Sequence, residues 1–93
     1  MNRERKCPVC GKFTFENADD FEICEVCGWE DDGLQLDDPD LAGGANHFNL
    51  NQAREVWKQT ESAAAMGIAD RRAYKGMPVF DEDGKVILEE PTE

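Results

Sequence analysis

The residues of this 93-residue chain best suited to chemistry are its four cysteines, and all of them lie in one stretch. "CPVCGKFTFENADDFEICEVCGWEDDG" runs from Cys7 to Gly33 and holds two C-x-x-C pairs, Cys7 with Cys10 and Cys24 with Cys27. Two thiols separated by two residues can face one cation, and two such pairs complete a tetrahedral set. The 13 residues between the pairs fall just short of the usual gap of about 15 to 20, as a tight hairpin requires. Gly11 and Gly28 follow the second cysteine of each pair. A sharp turn there can aim backbone N–H groups at the sulfurs. Four thiolates around one ion suit Zn²⁺ first and iron second. Such a site has no open position for a substrate, so the expected metal is structural and the chain is read as a non-enzyme. No G-x-S-x-G or P-loop pattern offers another chemistry.

The elements that must position these thiols follow from local pattern. "KFTFE" over residues 12–16 and "FEIC" over residues 21–24 alternate around the turn-forming "NADD". They predict a β-hairpin with Phe13, Phe15, Phe21 and Ile23 as an apolar face and one cysteine pair at each outer end. Residues 30–47 read as a long loop, with Leu34, Leu36 and Leu41 pinning it to the core. Asn49 is a helix N-cap, with Gln52 completing a capping box. Leu50, Ala53, Val56, Trp57, Thr60 and Ala64 recur at helical spacing, giving an amphipathic helix over about 50–66 that Gly67 ends. Residues 1–67 form the expected cysteine-bearing domain, and 68–93 a C-terminal extension with a second hairpin over 79–88. The fold class is small α+β.

Charge narrows the partners. The net charge is −11, and residues 13–48 hold eleven acids with no Lys or Arg. Nucleic-acid affinity rests on cationic side chains, so DNA and RNA are excluded as natural partners. A basic protein suits this field, with solubility as the plainer explanation of it. The expected partner surface is the acidic loop, at Glu30, Asp31, Asp32, Asp37, Asp38 and Asp40. There is no N-terminal apolar leader and no run long enough to span a membrane, so the expected location is the cytoplasm. Reduced thiols there favour metal ligation over disulfides. The pattern leaves oligomeric state open.

The remaining chemistry-bearing residues read as structural. His47, the single histidine, belongs near the helix start, hydrogen-bonded to the Gly-rich loop. Trp29 packs over the metal end and Trp57 on the apolar helix face. A calcium loop needs Gly at its sixth position and Glu at its twelfth; from Asp81, Gly84 stands fourth and Thr92 twelfth, and from Asp37 the sixth position is Ala42, so both fail.

"CPVCG" followed by "FEICEVCGWEDDGLQLDDPDLAGGANHFNLNQAR" resembles the cysteine-rich CPCC family of small bacterial proteins, over about residues 7–57. Val9 stands where the family's name-giving motif has another cysteine, between the two ligand positions of the first pair. The resemblance implies a zinc-ribbon or rubredoxin-like fold, metal binding, and a place among toxin–immunity systems for some members. The resulting expectation is a zinc-binding protein-interaction module, in its specific form an immunity-type inhibitor of a basic toxin. The alternative is a rubredoxin-like iron electron carrier.

Overall fold

Each cysteine pair closes its own short ribbon, and this arrangement sets the architecture. The computed structural model describes residues 3–18 and 20–92. Strand β1 (Arg5–Lys6) pairs antiparallel with β2 (Thr14–Phe15), with Arg5 opposite Phe15 and Lys6 opposite Thr14. The Cys7–Gly11 knuckle is the turn between them. Across the second knuckle, Ile23 forms an antiparallel bridge with Glu30. Among the described residues the expected hairpin joining 12–16 to 21–24 is therefore not formed; both segments are ribbon arms, but each pairs across its own knuckle. The backbone shows why. Phe21 has φ 56°, a left-handed conformation that interrupts an extended strand. The expected apolar face divides accordingly. Phe15 is fully buried and meets Phe13 edge-on at 5.4 Å, whereas Phe21 and Ile23 are exposed.

The segment after the second knuckle is shorter in loop than expected, because it contains helix α1 (Gly33–Asp37). The Asp32 carboxylate caps it, accepting from the Leu34 N–H at 2.9 Å. Leu34 is exposed and Leu41 lies at the edge of the surface, so of the three expected leucines only Leu36, partly buried against the core, pins the segment. Gln35 does so too. Its side chain is fully buried and donates to the carbonyls of Leu41, Asn46 and Phe48, while its Oε1 accepts from the backbone and side-chain nitrogens of Asn46. The Gly-rich loop wraps this amide so closely that a Cβ at Gly44 would lie 2.6 Å from Asp32 Oδ2 and 2.9 Å from Gln35 Cδ.

Helix α2 (Leu50–Thr60) opens with the expected capping box: Gln52 N–H donates to Asn49 Oδ1 at 2.7 Å, and Asn49 N–H to Gln52 Oε1 at 2.9 Å. Leu50, Ala53 and Val56 are fully buried. The helix does not run to residue 66. Glu61 turns left-handed at φ 44°, and the Ser62 hydroxyl accepts from Ala65 N–H to start α3 (Ala63–Tyr74). Gly67 lies inside α3 rather than ending a helix, and the division expected at 67/68 falls within it. The stop is Gly76, at φ 72°: its N–H reaches the Ala73 carbonyl and Met77 N–H reaches the Arg72 carbonyl, a Schellman closure.

Residues beyond α3 fold back onto the helices. Phe80 bridges Val86 around a turn at Asp81–Gly84, so the hairpin expected over 79–88 is present as one bridge. Gln59 of α2 binds both sides of that turn, at the Gly84 carbonyl and the Val86 N–H. The buried Arg72 holds the carbonyls of Pro78 and Glu89. The whole is a small α+β fold of one two-stranded antiparallel sheet and three helices among the described residues.

Replacing Gln35 with Leu tests the polar anchor. The volume is nearly kept, but the buried N–H and C=O groups that the amide served lose their partners. Each such group costs about 1 to 3 kcal/mol, so the urea midpoint of Gln35→Leu is expected to fall by the equivalent of at least about 3 kcal/mol. An unchanged midpoint would show that α1 is held by something else.

Candidate metal centre

The two ribbons bring their tips together. Cys7 Sγ lies 3.6 Å from Cys27 Sγ and Cys10 Sγ 3.7 Å from Cys24 Sγ, and all four sulfurs lie within 4.8 Å of one another. None is in a disulfide. A tetrahedron with metal–sulfur distances of about 2.3 Å has edges of about 3.8 Å, so the set fits one thiolate-bound ion. Cys7, Cys24 and Cys27 are buried and Cys10 is half-buried.

The two knuckles repeat one geometry. Gly11 N–H donates to the Cys7 carbonyl and Gly28 N–H to the Cys24 carbonyl, with φ of 69° and 89° at the two glycines. Lys12 N–H then points at Cys10 Sγ at 3.4 Å, and Trp29 N–H at Cys27 Sγ at 3.5 Å. Val26 and Cys27 direct N–H groups at Cys24 Sγ. These donors offset the negative charge that four thiolates bring to an ion and fix where each sulfur points. Trp29 is buried beside the knuckle and tilts against Phe48 at 6.0 Å.

The thiols are unequal without an ion. A hydrogen bond from the Cys27 thiol draws Cys7 down to about 5. The same bond, with burial, holds the proton on Cys27 and pushes it far up, and burial also raises Cys10. The cluster therefore shares protons where a bound cation would replace them.

The acids beside the knuckle have separate tasks. Asp31 is fully buried, 3.0 Å from the Arg5 guanidinium, and so ties β1 to the segment leaving the second knuckle. Asp32 is buried too; its second oxygen accepts from Ala45 N–H. These two of the six expected surface acids lie inside the fold. Glu30 is partly buried, its backbone paired on both sides with the Asn46 amide. Asp37, Asp38 and Asp40 are exposed, with Asp40 receiving a bond from Asn51. His47 is exposed, stacks on Tyr74 at 4.6 Å and uses its N–H toward Asp70 and its carbonyl toward Gly43. Asp70 also accepts from Phe48 N–H, so it joins α3 to the start of α2. Sequence pattern missed Asn46, Asp70 and Arg72 as organising residues. Their partners lie far along the chain, so no local pattern marks them.

The cysteine-rich CPCC family model matches residues 5–76. The chain belongs to the cysteine-rich CPCC family. No individually curated protein matches it. The CPCC match is longer than the motif resemblance over 7–57. It begins at Arg5, the partner of Asp31, and ends at Gly76, the stop of α3, so both knuckles and all three helices belong to it.

Metal uptake at pH 7 should release at least two protons, from Cys10 and Cys27, whose pKa values are raised. Cys7, with its lowered value, supplies none. Since raised groups hold protons that the ion must expel, apparent affinity rises with pH. Calorimetric zinc titrations in buffers of differing ionisation enthalpy measure the count; affinity that falls or stays flat between pH 6 and 8 would contradict this assignment.

Proposed function

We propose that the chain is a zinc-ribbon-type, metal-stapled module that binds a basic protein, and that its metal is a structural Zn²⁺ held by Cys7, Cys10, Cys24 and Cys27. The observation that supports this reading is the set of four sulfurs within 4.8 Å of one another, with Cys7–Cys27 and Cys10–Cys24 near tetrahedral spacing and three of the four buried. A fully thiolate-ligated ion has no position left for a substrate, which favours a structural role for the metal and supports a surface-borne function. The surface supports an electrostatic role. Residues 13–48 contribute eleven acids and no Lys or Arg of their own, and Asp37, Asp38 and Asp40 stand exposed. Such a field speeds encounter with a cationic protein and repels phosphate backbones. An immunity-type inhibitor is the specific form proposed: a toxin that acts on phosphate-bearing substrates presents cations, and an acidic surface can cover them. A location in the cytoplasm is proposed with it, where reducing conditions keep the thiols available to the ion. Among the described residues no helix is long and apolar enough to cross a membrane.

A rubredoxin-like iron electron carrier is the second reading. The half-buried Cys10 favours it, because one sulfur of the cluster then approaches the surface where an electron partner docks.

Affinity capture from source-cell lysate with the metal-loaded chain decides between these readings. The expected catch is a protein of high isoelectric point whose association rate falls steeply as salt is raised. Duplex DNA and RNA should bind no more tightly than about 10⁻⁴ M at physiological salt, the weak end of non-specific binding. Tight, salt-sensitive nucleic-acid binding would contradict the charge argument. A red, iron-loaded preparation with reversible one-electron reduction would establish the carrier instead.

A further inference from the structure

Phe21 is a large aromatic in a position where folding has no use for one. Its backbone is left-handed at φ 56°, a conformation that glycine or asparagine adopts at far less strain. Its ring is also exposed, at 56%. Leu34, on the first turn of α1, is 70% exposed. The two side chains are not scattered: they line one shallow cleft of about 340 Å³ together with Asp32, Gly33 and Asp37. Both Asp32 oxygens are occupied, by Leu34 N–H and Ala45 N–H. Asp37 accepts no hydrogen bond from the described residues, so its carboxylate is the one the cleft presents. The chain neighbours of Phe21 are Asp20 and Glu22, and no Lys or Arg occurs from residue 13 to 48.

We propose that the Phe21–Leu34 cleft is the docking surface for the basic partner, and that it takes an apolar side chain flanked by lysine or arginine. This rests on the basic-partner reading and specifies where and how that partner is recognised. Apolar contact on Phe21 and Leu34 supplies the buried anchor, and Asp37 with the neighbouring acids supplies the charged rim. Strained, exposed residues gather where a chain meets something outside itself. Charge selects this occupant over two others. A second copy of the chain also carries −11, so two such rims repel. An anionic lipid surface is repelled likewise.

The metal-loaded, ¹⁵N-labelled full chain can be titrated at low salt with two short peptides of equal charge, one alternating Lys with Leu and one alternating Lys with Ser. The Lys–Leu peptide should give saturable shifts centred on the amides of Phe21, Gly33, Leu34 and Asp37. The Lys–Ser peptide should bind at least about tenfold more weakly, since it lacks the apolar anchor. Phe21→Gly should abolish the Lys–Leu response while the melting temperature holds or rises, because the substitution relieves the left-handed strain. That combination separates a docking residue from a structural one. Asp37→Asn should weaken binding and flatten its salt dependence. Saturable Lys–Leu binding elsewhere on the chain would overturn this surface but leave the basic-partner reading standing. Failure of both peptides to bind anywhere would overturn both. Equal binding by the two peptides, unchanged binding by Phe21→Gly, or a Phe21-dependent dimer in sedimentation would each overturn the cleft.

Discussion

Four sulfurs within 4.8 Å of one another are the constraint on which the rest of this fold depends. As thiolates they repel one another, and as buried thiols they offer weak hydrogen bonds in exchange for lost solvation. A single cation resolves both conditions, because it removes the protons and binds the charge. A chain of 93 residues has a modest core, and domains of this size commonly need such a staple. Here an ion would join two ribbons that the Arg5–Asp31 pair also ties, and the buried Trp29 and Phe48 pack against each other beside the second knuckle.

Buried polar groups transmit that fixed point through the fold. Asp32 and Gln35 organise the Gly-rich loop, and Asn46 links the loop to both Glu30 and Gln35. Asp70 reaches from α3 to the backbone that enters α2, and Arg72 holds the chain that follows. No buried side-chain nitrogen or oxygen among the described residues lacks a partner. This completeness matters because an unmatched polar group in the interior costs as much as several apolar contacts supply. The acid-rich composition thus serves two ends. Asp31, Asp32 and Asp70 fasten the chain to itself, and Asp37, Asp38 and Asp40 face solvent.

What could be read from sequence was whatever is local. The four cysteines, their glycine knuckles and the Asn49–Gln52 capping box are each defined within a few residues, and the structure has them as read. Strand pairing was not local. Alternation in 12–16 and 21–24 identifies extended segments but does not name their partners, and the left-handed Phe21 has no sequence signature in a phenylalanine. The break between α2 and α3 was hidden for a similar reason. Glu61 takes a conformation usually given to glycine, so the apolar spacing ran past it, although Ser62 before an alanine run was a legible cap. Gly67 drew attention from the better stop at Gly76, which precedes Pro78. Among "LQL", hydrophobicity selected the leucines, and only the surrounding carbonyls make Gln35 the buried residue.

The cysteine cluster and the polar hub join the ribbons and helices, while the strained Phe21 and the exposed Leu34 of α1 lie on the outside. The central claim is that one ion, held by all four cysteines, is what the fold is built around. X-ray absorption at the metal edge of protein purified without chelator tests it most directly. The account predicts one metal per chain with four sulfur scatterers at about 2.3 Å and no lighter shell. A coordination shell containing nitrogen or oxygen, or well-folded protein with no metal and four free thiols, would contradict it.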